Sequence, residues 1–426
     1  MSCHGNNATP PSAAIAPGGE DLDAIRIAED RANRFGAGGA DPRLSEIIPG
    51  FDAPFWQAGL AGYSDSPMRI IARRHGCPMC VTEALLDRTL LAGGRGFAKA
   101  DLGELNDNVP GGAEDAPLVG QIMGSEPAEM AAAACKMAEQ GRRDARDYRK
   151  MAYVGGHESH GILGHAETGK VTTEQIGFAA IDVNLACPVK KIAKKARGGH
   201  WLAEPDGAIR ILEAVREALP ADIPTTIKIR RAFDDTDAMT QAFDRIVDAA
   251  FQIGYAWITV HGRTVQQKYV GPSRWDLLRH IVARHNPRGE RLIFGSGDVW
   301  DAADVFRMLE YTGVDAVSVA RGCIGNPWLF RQCRDLLEGR PPTAPTVGEQ
   351  RAVLESHFEL ALAANAWMRH TEKQTGRMMR KFGIRFSVHH PDAEAVRQRM
   401  IGIEGPDDWR AVLETFYPAG APAVAR

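Results

Sequence analysis

Short apolar stretches alternate with longer stretches of helical period along most of the chain. Eight apolar stretches begin at Ala53 and cover residues 53–60, 80–85, 117–123, 179–186, 225–230, 257–263, 291–298 and 315–322. The segments between them carry the periodicity of amphipathic helices, as at 66–76, 127–140, 205–219, 237–254, 275–285 and 301–313. Strands that alternate with helices form parallel sheets, and eight such units predict an α/β fold of the (β/α)8 TIM-barrel type.

Composition divides the chain into three regions, with a proline-rich linker between the second and the third. Residues 1–47 are rich in Gly, Ala, Pro and Asn, and we expect a flexible extension that contains at most a short helix. The barrel is predicted over 48–338. Prolines follow at 341, 342 and 345, and residues 346–417 have the pattern of a small all-helical domain.

A long insertion at about 141–177 interrupts the barrel before its fourth strand. It contains three histidines, His157, His160 and His165, but no cluster of cysteines or carboxylates completes a metal site. We interpret the insertion as a surface segment and predict no metal.

Composition is typical of a soluble globular protein, with 44% hydrophobic and 25% charged residues and a net charge of −3. The sequence has no apolar run of 18 residues and no secretory signal at its start. Seven cysteines without regular spacing indicate reduced thiols. These features predict a cytoplasmic protein without a membrane segment.

Polar and ionisable residues lie near the ends of almost every apolar stretch, where a barrel carries its functional groups. They are Gln121, Asn184, Cys187, Lys228, Arg230, His261, Arg263, Ser296, Asp298 and Arg321. The sequence GSGD at 295–298 and Arg321 at the end of the last stretch favour a phosphate site, because glycine turns allow close approach and a guanidinium matches phosphate oxygens. Taken alone, GSGD could equally be an ordinary turn.

Two of these residues each have two interpretations. Lys228 lies between two isoleucines on an alternating strand, so its side chain points into the barrel if the isoleucines pack against the helices. In that position it would need an ionic partner or an anionic ligand. The alternative is a lysine at the upper rim that forms a salt bridge. Cys187 is by residue type most often a small buried side chain. However, Pro188 ends the strand and places the thiol at the rim, where it can act as a general acid.

Several motifs, taken in order, resemble those of one family. They are QAGLAGYSDSPMR, QIMGSEPAEM, DVNLACPVKK, TIKIR, TVHGRTVQQKYVGPSRW, GSGD and ARGCIGNPWLF. From about Phe51 to about Ile403 the chain resembles the tRNA-dihydrouridine synthases, FMN-dependent barrel enzymes that reduce uridines in tRNA to 5,6-dihydrouridine. The resemblance implies FMN as cofactor, NADPH (or NADH) as reductant and tRNA as partner, and we expect a monomer.

The resemblance also implies roles for individual residues. Cys187 matches the family's catalytic cysteine, which protonates C5 of the uracil while reduced flavin gives a hydride to C6. The flavin contacts it implies are Gly59, Leu60, Ala61, Gln121, Lys228, His261, Ser296, Gly297, Asp298, Ala320 and Arg321. The chain departs from the family's usual residues at positions 59, 60, 186, 296 and 320, which concern flavin packing and not the proton donor.

Two basic clusters are candidates for contact with RNA phosphates. The residues that we expect to bind the substrate are Asn184, Lys190, Lys191, Lys194, Lys195, Arg197, Arg263, Arg377 and Lys381. The last two belong to a series, Arg369, Lys373, Arg377 and Lys381, whose four-residue spacing keeps them on one helical face. For both clusters the alternative is a solvated surface.

Two other functions fit parts of the pattern. One is an FMN barrel oxidoreductase that acts on a free pyrimidine, which would need neither the basic run at 190–197 nor the C-terminal domain. The other is a redox-inactive tRNA-binding protein.

Overall fold

The computed structural model describes residues 23–91, 113–140, 177–189, 197–367 and 370–418. The insertion histidines, Arg369 and the lysines at 190, 191, 194 and 195 lie outside these ranges. No helix of the described residues is long and apolar enough to cross a membrane.

The described strands are all parallel and close into a ring. They are β1 (Phe55–Gln57), β2 (Cys80–Val81), β3 (Leu85–Leu86), β4 (Leu118–Met123), β5 (Ala180–Leu185), β6 (Thr225–Arg230), β7 (Trp257–His261), β8 (Ile293–Ser296) and β9 (Val317–Val319). Both β2 and β3 pair with β4, so the two short strands share one barrel position. The last strand pairs with the first through Val317 and Phe55. The eight positions confirm the predicted TIM barrel.

Helices surround the barrel and continue beyond it. They are α1 (Ala24–Phe35), α2 (Pro42–Ile47), α3 (Ser66–Arg74), α4 (Asp87–Leu91), α5 (Pro127–Gln140), α6 (Pro205–Ala218), α7 (Asp237–Ile253), α8 (Trp275–His285), α9 (Ala302–Thr312), α10 (Trp328–Leu337), α11 (Val347–Trp367), α12 (Glu372–Phe386), α13 (Ala393–Ile401) and α14 (Pro406–Phe416). Local chemistry sets their ends: Thr236 caps the start of α7, and Gly254 ends it in the left-handed conformation.

The barrel interior changes from apolar to polar along the strands. At the amino ends, the Phe51 ring packs edge-on against Trp56 and Phe294, with centroids 5.8 and 6.1 Å away. Further along, polar side chains line an internal cavity; they are Gln121, Asp182, Thr226, Lys228, Thr259 and Ser318. Apolar residues that alternate with them, such as Ile181 and Val183, pack in the outer core with the helices. The apolar end closes the barrel, and the polar end remains for a ligand.

The segment before the barrel is folded where we expected a flexible extension. In α1, Ile27 and Ala28 are fully buried. The guanidinium of Arg31 donates hydrogen bonds to the carbonyls of Gly39 and Asp315, each at 3.1 Å. Residues 24–47 therefore pack on the barrel because a short amphipathic face and one arginine hold them there. Residues 1–22 lie outside the described part.

The predicted all-helical C-terminal region is present and packs on the barrel through aromatic side chains. Phe382 lies edge-on to Tyr63 of the barrel at 5.6 Å, and Phe386 lies edge-on to Trp328 at 5.7 Å. His357 is buried beside both phenylalanines, and burial lowers the pKa of its imidazole to about 3. This apolar contact joins α12 to the loop that follows β1.

Candidate active site at the carboxyl end of the barrel

A chain of buried amide and carboxylate groups crosses the barrel interior. The Asn184 amide donates to Gln121 Oε1 at 2.7 Å, and the Gln121 amide donates to Asp182 Oδ2 at 2.7 Å. The Thr226 hydroxyl donates to the other carboxylate oxygen of Asp182 at 2.6 Å. Gln121 and Asn184 are predicted site residues, whereas Asp182 is not, although strand alternation places residues 182 and 184 on the same face.

Cys187 lies at the end of this chain, on a loop that is held from two sides. Its backbone N–H and that of Ala186 donate to Asn184 Oδ1 at 3.0 and 2.9 Å. Its carbonyl accepts from the N–H of Gly199 at 3.0 Å. The thiol is half-buried, whereas Cys77, Cys80, Cys323 and Cys333 are buried. Its exposure therefore differs from that of these four cysteines.

Lys228 points into the barrel and meets a serine. Its ammonium donates to Ser296 Oγ at 3.4 Å, and the Ser296 hydroxyl reaches the Ser318 carbonyl at 3.5 Å. Burial lowers the pKa of Lys228 to about 8. The ammonium is therefore still cationic at neutral pH and can bind an anionic group in the cavity.

His261 is neutral in this environment. The N–H of Arg263 donates to His261 Nδ1 at 3.1 Å, so the neutral ring carries its proton on Nε2. Burial, together with the charges of Arg230 and Lys228, lowers the pKa of His261 well below its usual range. The imidazole can thus donate one hydrogen bond, from Nε2.

Arg230 connects the Cys187 loop to the loop after β7. Its guanidinium donates to the Ala186 carbonyl at 2.9 Å, the Thr264 carbonyl at 2.8 Å and the Lys268 carbonyl at 2.7 Å. Burial lowers its pKa to about 10, so it remains charged at neutral pH. Arg230 thus places a cation close to the thiol.

Asp298 arranges two arginines and is not free to bind a ligand by itself. One carboxylate oxygen accepts from Arg263 and from the N–H of Ser273, both at 2.7 Å. The other accepts from Arg321 at 3.2 Å. The adjacent Gly297 has φ 112°, and a Cβ there would come within 2.5 Å of Ser273 Oγ, so only glycine fits this turn.

Arg321 keeps an exposed face beside this turn. Its side chain is 38% exposed, and its guanidinium lies 4.7 Å from the centroid of the Trp300 ring. A Cβ at Gly322 would come within 2.4 Å of the Val299 carbonyl, so the loops after β8 and β9 touch. A partly exposed guanidinium held against two glycine turns fits the predicted phosphate site.

The loop after β1 reaches the same mouth. A Cβ at Gly59 would lie 2.2 Å from the Thr82 carbonyl and 3.4 Å from Gln121 Oε1, so the backbone approaches the amide chain closely. The N–H of Gly62 donates to Glu83 at 3.0 Å, and its carbonyl accepts from Lys381 of α12. Gly59, Leu60 and Ala61 thus belong to a loop anchored at Gly62 by the barrel and by the helical domain.

The candidate RNA-binding residues have different surroundings. Arg377 is exposed on α12 and lies 3.6 Å from Glu404. Lys381 is partly enclosed, with its ammonium 5.4 Å from the Tyr63 ring centroid. The guanidinium of Arg197 stacks on Trp201 at 4.6 Å and pairs with Glu204. The lysines at 190, 191, 194 and 195 lie outside the described residues.

Cations outnumber carboxylates at the described mouth of the barrel. Lys228, Arg230, Arg263 and Arg321 are opposed there by Asp182, Asp298 and Glu83. Burial raises the pKa of Asp182 to about 6, so its charge is also lost in mild acid. A polar, cationic mouth with a positioned thiol can hold an anionic ligand and supply a proton to it.

Comparisons with known proteins agree with the sequence motifs. A family model described as "Dihydrouridine synthase (Dus)" matches residues 165–417, which is more than half of the chain. The "Probable tRNA-dihydrouridine synthase" of Treponema pallidum (strain Nichols) is 34% identical over 206 residues, which cover 46% of this chain and 60% of that protein. The protein of the same description from Mycobacterium tuberculosis (strain ATCC 25618 / H37Rv) is 32% identical over 55% of this chain and 58% of the relative.

A third relative aligns over a longer stretch. The "tRNA-dihydrouridine synthase B" of Pseudomonas aeruginosa is 27% identical over 362 residues, which cover 84% of this chain and 91% of that protein. The matches to the first two relatives span less than two thirds of their length. The motifs, the barrel and the family model agree, and the chain belongs to the dihydrouridine synthase family.

Proposed function

We propose that this protein reduces uridines in tRNA to 5,6-dihydrouridine, with FMN as cofactor and NADPH (or NADH) as reductant. One observation carries the proposal: Asn184 fixes the backbone of the half-buried Cys187 at the mouth of a barrel rich in cations. The relatives named above are described as tRNA-dihydrouridine synthases, which supports the substrate. We further propose that the enzyme acts in the cytoplasm as a monomer.

The residues at the mouth fit a flavin mononucleotide. The Arg321 guanidinium and the turns at Gly297 and Gly322 would hold its phosphate, because they combine positive charge with close backbone approach. Lys228 would face the ring and favour negative charge on it. When bound, reduced FMN supplies the hydride that C6 of the uracil receives, after NADPH or NADH has reduced it.

Cys187 would give its proton to C5 of the uracil. Loss of the proton leaves a thiolate, and the charged Arg230 interacts favourably with an anion at that position. Asn184 holds the loop while the proton leaves, since its side-chain oxygen accepts from the backbone of Cys187. The neutral His261 would donate a hydrogen bond from Nε2 to flavin or base.

The tRNA would be held by basic side chains outside the barrel mouth. A base that is stacked in RNA must leave its stack to reach a site inside a barrel rim. Arg377 on the exposed face of α12 and the basic run at 190–197 are suited to the phosphates that flank it. Lys190, Lys191, Lys194, Lys195 and Arg197 are therefore proposed contacts.

Flavin and substrate can be tested together with the full chain. Purified protein should absorb in the visible range as a flavoprotein, and it should form dihydrouridine in unmodified tRNA when NADPH is added. Faster reduction of free uracil or uridine than of tRNA would support the free-pyrimidine alternative instead. Protein that binds tRNA but takes up no FMN would support the redox-inactive alternative.

A further inference from the structure

The series of hydrogen-bonded side chains that ends at the Cys187 backbone begins at the carboxylate of Asp182, to which the family resemblance assigns no role. Asp182 is 5% exposed and accepts hydrogen bonds from Gln121 and Thr226. It lies inside the barrel, behind Gln121 as seen from Cys187. Asp182 therefore acts on the thiol only through other residues.

Both ends of this hydrogen-bonded series require the same orientation of the Gln121 and Asn184 amides. At one end, the backbone N–H groups of Ala186 and Cys187 need an acceptor, so Asn184 turns its oxygen towards them and its NH2 towards Gln121. Gln121 then presents its oxygen to Asn184 and its own NH2 to position 182. At the other end, a carboxylate can only accept, and this matches the direction set by the backbone.

We propose that Asp182 is a positioning residue that orients Gln121 and Asn184 and thereby holds the Cys187 backbone at the mouth. A buried amide without an acceptor is costly, so loss of the carboxylate favours other orientations of Gln121 and Asn184. The Asn184 oxygen is then no longer fixed on the Cys187 N–H, and the loop loosens. The catalytic meaning of this inference rests on the proposed function, but the arrangement itself does not.

Substitutions at position 182 separate an acceptor from a charge. Asp182→Leu has a similar shape and no acceptor, so Gln121 loses its partner. Asp182→Asn keeps an oxygen that accepts from Gln121, and its NH2 can donate to the Thr226 hydroxyl. Gln121 and Asn184 therefore keep their orientations although the negative charge at position 182 is lost. Thr226→Val removes the other hydrogen bond of the same carboxylate and serves as a matched control.

A reciprocal exchange tests the direction of the chain. Asn184→Asp still accepts from the Cys187 backbone, but its second oxygen now faces Gln121 while Asp182 faces it from the other side. One Gln121 amide cannot donate to both carboxylates. In Asp182→Asn/Asn184→Asp, a reversed Gln121 donates to residue 184 and accepts from residue 182, and every member is satisfied again.

The readout is the rate constant for alkylation of the Cys187 thiolate by iodoacetamide in the native full-length protein, located by mass spectrometry. It is taken from the pH dependence of the alkylation, because a carboxylate at position 184 also raises the pKa of the thiol and so lowers the thiolate fraction. This measurement needs neither flavin nor tRNA, so it remains valid if the proposed function fails. We expect Asp182→Leu and Asn184→Asp to raise the rate about fivefold or more, as loss of a buried hydrogen bond would. Asp182→Asn, Thr226→Val and the exchanged pair should stay within about twofold of the wild type.

Three results would overturn the inference. The first is an alkylation rate in Asp182→Leu equal to that of the wild type. The second is an alkylation rate in the exchanged pair that stays as high as in Asn184→Asp alone. The third is an increase in Asp182→Asn as large as that in Asp182→Leu. If Asp182→Leu does not fold, the Asn184→Asp variant and its exchange decide the question. In the enzyme assay, the loosened variants should lose about tenfold in kcat with little change in KM for tRNA.

Discussion

The Lys381 ammonium of α12 donates a hydrogen bond to the Gly62 carbonyl of the loop after β1, across the boundary between the helical domain and the barrel. The same ammonium lies 5.4 Å from the Tyr63 ring centroid and 4.8 Å from that of Phe382. Arg377, one turn earlier on α12, is 55% exposed and meets only a surface glutamate among the described residues. Two residues predicted to bind RNA therefore have different partners.

This difference predicts opposite effects of two substitutions. Lys381→Met should weaken FMN retention about threefold to tenfold, because the Gly59–Ala61 loop loses an anchor, and should leave the salt dependence of tRNA binding unchanged. Arg377→Gln should leave FMN retention unchanged and reduce the salt slope of tRNA binding by about 0.7–0.9. Fluorescence titration measures FMN binding, and tRNA binding at several salt concentrations gives the salt slope. A lower salt slope in Lys381→Met with normal FMN retention would return Lys381 to the RNA interface.

Cys187→Ala should separate flavin chemistry from product formation. FMN content and NADPH oxidation should persist, because the thiol is proposed to act only on the base. Dihydrouridine formation should fall about 10²- to 10⁴-fold, the usual contribution of a general acid. Dihydrouridine in unmodified tRNA is measured by mass spectrometry of nucleosides, with Cys135→Ala, the other half-buried cysteine among the described residues, as control. Turnover near the wild-type rate would assign Cys187 to packing alone.

Arg321→Ala should weaken FMN binding about 10- to 100-fold, since a charged hydrogen bond to phosphate contributes about 1.5–3 kcal/mol. Arg307 on α9 offers a matched control, because its side chain is 37% exposed against 38% for Arg321 and it also pairs with an aspartate. Arg307→Ala should bind FMN as the wild type does. Riboflavin, which lacks the phosphate, should bind both variants equally, and a selective loss of riboflavin in Arg321→Ala would contradict the assignment.

The stability of the flavin-free protein should depend on Lys228. Burial lowers its pKa from 10.5 to about 8, so between these pH values the unfolded chain binds more protons than the folded one. The free energy of unfolding therefore rises with pH in this window, by at most about 3 kcal/mol from this group. Urea unfolding between pH 7.5 and 10 should show that Lys228→Met lacks this rise and is more stable at pH 7.5. The control Lys373→Met, on the exposed face of α12, should keep the rise.

Much of the barrel follows from local order in the sequence. The predicted helix at 237–254 is observed at Asp237–Ile253, and the predicted strand at 225–230 at Thr225–Arg230. Periodicity, capping residues and glycine turns act over a few residues, so the chain determines these elements by itself. The same order places Asn184, Lys228 and Ser296 on inward-facing positions near the carboxyl ends of their strands.

Only the tertiary structure decides which of these residues meet. Gln121 and Asp182 are 61 residues apart in sequence, and Gly62 and Lys381 are 319 apart. Such contacts depend on the closure of the barrel and on the docking of the helical domain, which no local period encodes. For the same reason, the sequence did not reveal that one face of α1 packs on the barrel, that Asp298 holds Arg263 and Arg321, or that two side-chain amides link Asp182 to the Cys187 backbone.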